Sequence, residues 1–138
     1  MLDIYPDNNR RKFRRVRVNL TIIYRVDEPL SARLVVGGKE IEAAMLDLSE
    51  GGMSILTDYN LTASTIILIR FTLFKVDRQD VSFYGPVEIM GEVRYNTRLS
   101  NNEYRLGICF TRIEEKDKVE IRNFVDSAIN LLKPKDKQ

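Results

Sequence analysis

The sequence contains no histidine, and this absence removes several classes of chemistry at once. Histidine is the commonest general base and a frequent metal ligand, and it activates the nucleophile of many hydrolases. The single cysteine, Cys109, excludes an intramolecular disulfide and any paired-cysteine metal or redox motif. Phosphate-binding glycine loops and nucleophile elbows are also missing. We therefore expect a protein that is not an enzyme, with Cys109 as an inert core thiol.

Long hydrophobic runs are scarce as well. The densest run, residues 66–69, is far shorter than the roughly 20 apolar residues of a membrane-spanning helix. Residues 1–7 carry neither a basic segment nor an apolar segment, so we expect no signal peptide and no membrane insertion. A reducing cytoplasm is the expected location. No metal site or cofactor is indicated.

Positive charge is concentrated near the start of the chain. Residues 8–17 hold six of the 22 basic side chains and no acidic one, which leaves 16 basic against 20 acidic side chains elsewhere. A basic cluster on an otherwise acidic domain is typical of phosphate recognition, although a solvated charged run explains the cluster alone equally well. We predict a flexible basic arm over residues 1–15 and one domain over residues 8–132.

Alternating hydrophobicity predicts a mostly β fold. Apolar side chains occupy every second position from residue 16 to residue 26, as in a half-buried strand. Further strands are predicted over residues 32–36, 39–48, 53–56, 65–74, 87–95 and 104–110. Gly37-Gly38, Gly51-Gly52 and a polar loop at 96–103 separate several of them. Six or seven short strands indicate an antiparallel barrel or sandwich.

The last part of the chain has the period of a helix. Its apolar positions fall on one face at helical spacing, namely Ile121, Phe124, Val125, Ala128 and Leu132. Acidic residues precede this stripe and Pro134 follows it, which predicts a helix over about residues 114–132. We expect the stripe to pack on the strands rather than to bind a partner.

Two short motifs carry side chains suited to an anionic ligand. Arg11 and Arg15 stand four residues apart where the arm enters the first strand, and guanidinium groups can fork onto phosphates and stack on purines. Asp47-Leu48-Ser49-Glu50-Gly51-Gly52 joins two predicted strands. These residue types make a good β-turn in which glycine supplies positive φ. The carboxylate of Asp47 also matches the edge of guanine that carries the N1–H and N2–H₂ donors.

Together, Arg11-x-x-x-Arg15 and Asp47-x-Ser49-x-x-Gly52 resemble the signature of the PilZ domain family. The resemblance continues in Gly91-Glu92-Val93 and in Leu106-Gly107-Ile108-Cys109-Phe110, and it covers residues 8–132. It implies a six-stranded antiparallel β-barrel with split or Greek-key-like connections over about residues 14–111, closed by the C-terminal helix. It also implies a bacterial receptor for the second messenger cyclic di-GMP.

The resemblance implies ligand binding by six residues, namely Arg10, Arg11, Arg15, Asp47, Ser49 and Gly52. The two motif arginines would contact the phosphates and the guanine faces. The aspartate and the serine would hydrogen-bond guanine, and the glycine would keep the turn open. In similar domains an arginine at the position of Arg10 accompanies an intercalated ligand dimer. Arg94, on a neighbouring strand, would help to frame the site.

A dianionic ligand would neutralise part of the repulsion within the arm and order it over the barrel, which makes a switch. The signal would pass to an unidentified protein effector or through self-association, so a homodimer is left open. One alternative is a PilZ-type protein–protein adaptor that needs no ligand. Another is a barrel that binds single-stranded nucleic acid, which the lack of an aromatic platform disfavours.

Overall fold

The computed structural model describes residues 3–4, 13–77 and 80–132. These ranges contain seven strands and two helices. In chain order the elements are β1 (Asp3–Ile4), β2 (Arg15–Glu28), α1 (Leu30–Val35), β3 (Ile41–Ser49), β4 (Gly52–Thr57), β5 (Ile66–Asp77), β6 (Asp80–Ser100), β7 (Glu103–Arg112) and α2 (Glu115–Leu132).

Six of these strands form a closed antiparallel ring. Their order is β2-β3-β4-β7-β6-β5, and β5 pairs with β2 to complete the circuit. Strand β2 can serve both neighbours because it is long: residues 15–24 pair with β3, and residues 23–28 pair with β5. The short strand β1 adds to β2 outside the ring. The predicted mostly β fold, with six antiparallel strands and a C-terminal helix, is confirmed.

The inside of the ring follows the alternation of the sequence. On β2, Val16, Val18 and Tyr24 are buried while Arg17 and Arg25 are exposed. The hydroxyl of the buried Tyr24 shares a hydrogen bond of 2.8 Å with Thr57 Oγ1 on β4. A buried phenol needs such a partner because an unpaired hydroxyl in the core is costly.

Helix α2 packs against one side of the ring, where it contacts β2, β3 and β5. Its stripe is buried as predicted at Ile121, Val125 and Ala128, and Ile129 joins it. Phe124 meets Phe74 of β5 edge to face, with ring centroids 5.6 Å apart. The stripe therefore packs on the strands. Neither helix of the described residues is long and apolar enough to cross a membrane.

The strand predicted over residues 32–36 is wrong, because this segment forms helix α1 (Leu30–Val35). Ala32 and Val36 are buried at a spacing of four residues, which is a helical period. Gly37 and Gly38 adopt φ angles of 72° and 67°, and the Gly38 N–H donates to Arg33 O at 2.9 Å. This left-handed pair ends the helix instead of joining two strands.

The polar loop predicted over residues 96–103 is also wrong. Strand β6 continues to Ser100 and β7 starts at Glu103, so only Asn101 and Asn102 form the turn. The side chains at this end of the hairpin are largely exposed. No buried face imposes hydrophobic alternation on it, so its sequence resembles a loop.

Candidate ligand-binding site

Strand register brings the two sequence motifs together at one end of the ring. Arg15, the first residue of β2, pairs with Ser49 at the end of β3. Ser49 in turn pairs with Gly52 across the β3–β4 turn, and Gly52 pairs with Cys109 on β7. One arginine of the first motif and the whole second motif thus occupy one neighbourhood.

Ser49 organises the turn between β3 and β4. Its Oγ accepts hydrogen bonds from the backbone N–H groups of Gly51 and Gly52, each at 3.2 Å, and donates to Gly52 O at 3.3 Å. The Phe110 N–H donates to Gly51 O at 2.9 Å and ties the turn to β7. The turn is therefore held by the serine and by a neighbouring strand.

The glycines of this turn act by their small size. Among the described residues, left-handed backbone occurs at Gly37, Gly38, Gly85 and Ser64, so the positive φ predicted for the turn glycines is wrong. A Cβ on Gly52 would instead overlap the carbonyl oxygen of Ile108 on β7. Gly52 is required because two strands approach closely at this point.

Asp47 is the charged centre of the site and is completely buried. Its Oδ1 accepts the Ser54 N–H at 3.0 Å. Its Oδ2 lies 3.3 Å from Arg105 Nη2 and 3.6 Å from Arg15 Nη1. A register shift in β3 directly before Asp47 re-aims the side chain. Two guanidinium groups and a backbone donor together compensate a carboxylate that would otherwise be costly to bury.

Both arginines retain unused donors. The Nε atoms of Arg15 and Arg105 are buried and have no hydrogen-bond acceptor among the described residues. Each guanidinium approaches Asp47 through one Nη atom and not as a two-pronged fork. The site therefore holds hydrogen-bond capacity that an anionic group could use.

An open pocket of about 320 Å³ lies beside this centre, and we name it the motif pocket. It is lined by Phe13, Arg15, Ser49, Gly51, Gly52, Met53, Arg94, Tyr95, Gly107, Ile108 and Cys109. Its size is at the lower end of the range for small-molecule sites. Cys109 is half-buried in the pocket wall, so its predicted place in the core is wrong.

Two residues of β6 frame the motif pocket. Arg94 lies in its wall as expected and pairs with Glu92 at 3.3 Å. The ring of Tyr95 covers Gly107, where any side chain would overlap it. The Tyr95 hydroxyl shares a hydrogen bond of 3.3 Å with Ser54 Oγ. Tyr95 is 44% exposed, so it offers an aromatic ring at the wall of the pocket.

Ion pairs join the site to helix α2. Arg122 of α2 donates to the carboxylate of Glu50 from Nε at 3.0 Å and from Nη2 at 2.8 Å. These bonds hold the pKa of Glu50 below its usual value and raise that of Arg122. Arg14, next to Arg15, bonds Asp126 of α2 at 2.7 Å. The turn and the start of β2 are thus both connected to the helix.

Four of the six predicted site residues are brought together, namely Arg15, Asp47, Ser49 and Gly52. Arg10 and Arg11 lie outside the described residues. The motifs did not identify Arg105, although strand alternation places it on the same face as Gly107. The described residues contain no cluster of three or more acidic or cysteine side chains that could hold a metal ion.

The family model of the PilZ domain matches residues 9–127. This chain belongs to the PilZ domain family. No curated protein sequence matched it in a direct comparison.

Solved structures share the fold at low sequence identity. The inhibitor of motility MotI/DgrA of Bacillus subtilis is 12% identical with a TM-score of 0.70, over 92% of this chain and 55% of that one. MrkH, described as a c-di-GMP-dependent transcription regulatory factor, is 15% identical with a TM-score of 0.58, over 88% and 52%. The PilZ domain of YcgR from Escherichia coli, solved with c-di-GMP, is 13% identical with a TM-score of 0.54, over 89% and 94%. The chain thus spans about half the length of MotI and MrkH.

Proposed function

We propose that this chain is a non-enzymatic receptor for cyclic di-GMP. The ligand-binding residues in this proposal are Arg10, Arg11, Arg15, Asp47, Ser49 and Gly52. The observation that carries the proposal is the ion pair between Arg15, which lines the motif pocket, and the buried Asp47, because this pair unites the arginine motif with the turn motif. Membership of the PilZ family supports it, and so does the similarity of fold to a PilZ domain solved with c-di-GMP.

The chemistry of the motif pocket suits this ligand. Cyclic di-GMP carries two phosphates, which match the unused Nε donor of Arg15 and the arginines that precede it. Its guanines present two adjacent N–H donors, which match the two oxygens of Asp47. As a donor, the hydroxyl of Ser49 makes one long hydrogen bond, to Gly52 O at 3.3 Å, and an acceptor atom of guanine can replace that bond. The exposed ring of Tyr95 offers a stacking face.

Binding in this proposal also changes the surface of the protein. Arg15 leaves Asp47 for the ligand, and the arginine arm becomes ordered over the ring. Arg14 moves with its neighbour and alters the ion pair with Asp126 on α2. A protein effector or a second copy of the chain then reads the changed surface.

Isothermal titration calorimetry with cyclic di-GMP tests the proposal. We expect saturable binding by the wild type and a loss of about 10- to 100-fold in affinity in Arg15→Ala, since charge-assisted hydrogen bonds are lost. Arg70→Ala is the matched control, because Arg70 forms an ion pair of 3.6 Å with Glu40 and does not line the motif pocket. GTP should not bind. Two ligands per chain would support the role assigned to Arg10.

Two results would contradict the proposal in different ways. If the wild type gives no heat at ligand concentrations of about 100 μM, the chain is not a receptor of useful affinity, and the adaptor alternative takes its place. If the ligand binds but amide hydrogen exchange over residues 8–17 is unchanged at saturation, arm ordering is not the relay.

A further inference from the structure

Arg105 belongs to neither sequence motif, yet it contacts the charged centre of the site. It lies on β7, 58 residues after Asp47 in the chain, and its Nη2 donates to Asp47 Oδ2 at 3.3 Å. Its side chain is 34% exposed, but its Nε is buried without an acceptor among the described residues. The pairing of β4 with β3 and with β7 brings the two residues together.

The two arginines on Asp47 stand in different places. Arg15 is one of the described residues that line the motif pocket, whereas Arg105 and the buried Asp47 are not. Arg15 therefore stands on the pocket side of the carboxylate, where a ligand would displace it, and Arg105 remains when it leaves. A fully buried carboxylate that lost both cations would be strongly disfavoured, so one of them must stay.

We propose that Arg105 is a positioning residue for guanine recognition, which holds the carboxylate of Asp47 in place while Arg15 turns to the ligand. This inference rests on the proposed function. A carboxylate has about four acceptor positions, two on each oxygen. Ser54 uses one position on Oδ1 and Arg105 uses one on Oδ2. Each oxygen then keeps one position for the paired donors N1–H and N2–H₂ of guanine.

The test compares cyclic di-GMP with cyclic di-IMP, whose hypoxanthine bases lack the 2-amino donor but keep the phosphates and the ring faces. The wild type should prefer cyclic di-GMP by roughly tenfold or more, because the analogue leaves one oxygen of Asp47 unpaired. Arg105→Gln should reduce this preference to within about threefold and lower the affinity for cyclic di-GMP about tenfold or more. Arg105→Lys keeps the charge and should retain most of the preference.

Arg70→Gln is the matched control for the same change on another strand of the ring, and its preference should equal that of the wild type. Circular dichroism and thermal melting establish whether each variant is folded. If Arg105→Gln is unfolded, the test is made with Arg105→Lys. Equal losses of affinity for both ligands in Arg105→Gln would mean a merely structural role and would overturn the inference. Tighter binding would overturn it too, because Arg105 would then be a competitor for Asp47. A wild type that binds neither ligand overturns the proposed function and this inference with it.

Discussion

Glu50 and Arg122 join the motif turn to helix α2 through a two-pronged ion pair, with hydrogen bonds of 3.0 and 2.8 Å. The two residues are 72 positions apart in the chain, and the glutamate side chain is only 14% exposed. Glu50 lies inside the second motif, between Ser49 and Gly51. The turn that bears the candidate site is therefore attached to the helix that closes the ring.

Because of this pair, part of the folding stability should be lost in acidic solution. Arg122 lowers the pKa of Glu50 in the folded state, so the contribution of the pair is complete above the unfolded pKa of about 4.3 and is lost as the pH falls through the folded pKa. Urea unfolding of the wild type and Glu50→Gln should differ by a constant amount above about pH 5. The difference should shrink below about pH 4. A difference that stays the same down to pH 2 would contradict the assignment.

The buried Tyr24–Thr57 pair predicts a marked asymmetry between single and double variants. Thr57→Val should cost about 1–3 kcal/mol of unfolding free energy, because it leaves the Tyr24 hydroxyl buried without this partner. Adding Tyr24→Phe to it should recover part of that cost, since both polar groups are then gone. Chemical denaturation of the two single variants and the double variant measures the coupling. Strictly additive costs would show that the hydrogen bond contributes nothing of its own.

Two tyrosines should titrate late in alkaline solution. Burial raises the pKa of Tyr24 to about 12, and the hydrogen bond of Tyr84 to Asp117 raises the pKa of Tyr84 to about 12. The stability from both groups is fully present below the unfolded pKa of about 10 and is lost as the pH rises towards 12. Absorbance at 295 nm should show that two tyrosines ionise only near pH 12. Asp117→Asn should lower the pKa of Tyr84, so that one of these two tyrosines ionises at lower pH. An unchanged titration in Asp117→Asn would contradict the role of Asp117.

The fold was predictable where burial is one-sided over many residues. Strand β2 and helix α2 each place a long apolar stripe on the core, so the period of the sequence identifies them. Helix α1 was not predictable, because it is only six residues long and five of them are apolar or small. Fewer than two helical turns cannot display a helical period. Leu30 and Leu34 are also 65% and 71% exposed, so hydrophobicity there does not report burial.

Some residues of the candidate site were likewise predictable from the sequence, and others were not. That Ser49 and Gly52 lie in one turn was predictable, because their spacing in the sequence is local. Arg105 was not, because its contact with Asp47 depends on the register of β4 with both β3 and β7. A one-residue shift of either pairing would point Arg105 to the other face. Motif spacing carries no information on such a register.

The glycines of the turn should differ in their tolerance of a methyl group. Gly52→Ala should destabilise the protein by about 1–3 kcal/mol or more, because its Cβ overlaps the Ile108 carbonyl in the fixed backbone of β7. Gly51→Ala should cost less, because its Cβ would meet only the ring of Phe13, at 2.7 Å, and a side chain can turn away. Thermal unfolding of the two variants measures this contrast. Equal costs would show that close strand approach is not the reason for glycine at position 52.

The charge of Asp47 should matter for stability even without a ligand. Asp47→Asn keeps an oxygen for the Ser54 N–H but removes the negative charge between Arg15 and Arg105. Because both arginines are partly exposed, we expect a cost of about 1–3 kcal/mol, which is less than for a fully buried pair. Adding Arg105→Gln to Asp47→Asn should restore some of it, since one uncompensated cation is removed. Urea unfolding at neutral pH measures both effects. A double variant less stable than Asp47→Asn alone would mean that Arg105 stabilises the fold through contacts other than the carboxylate.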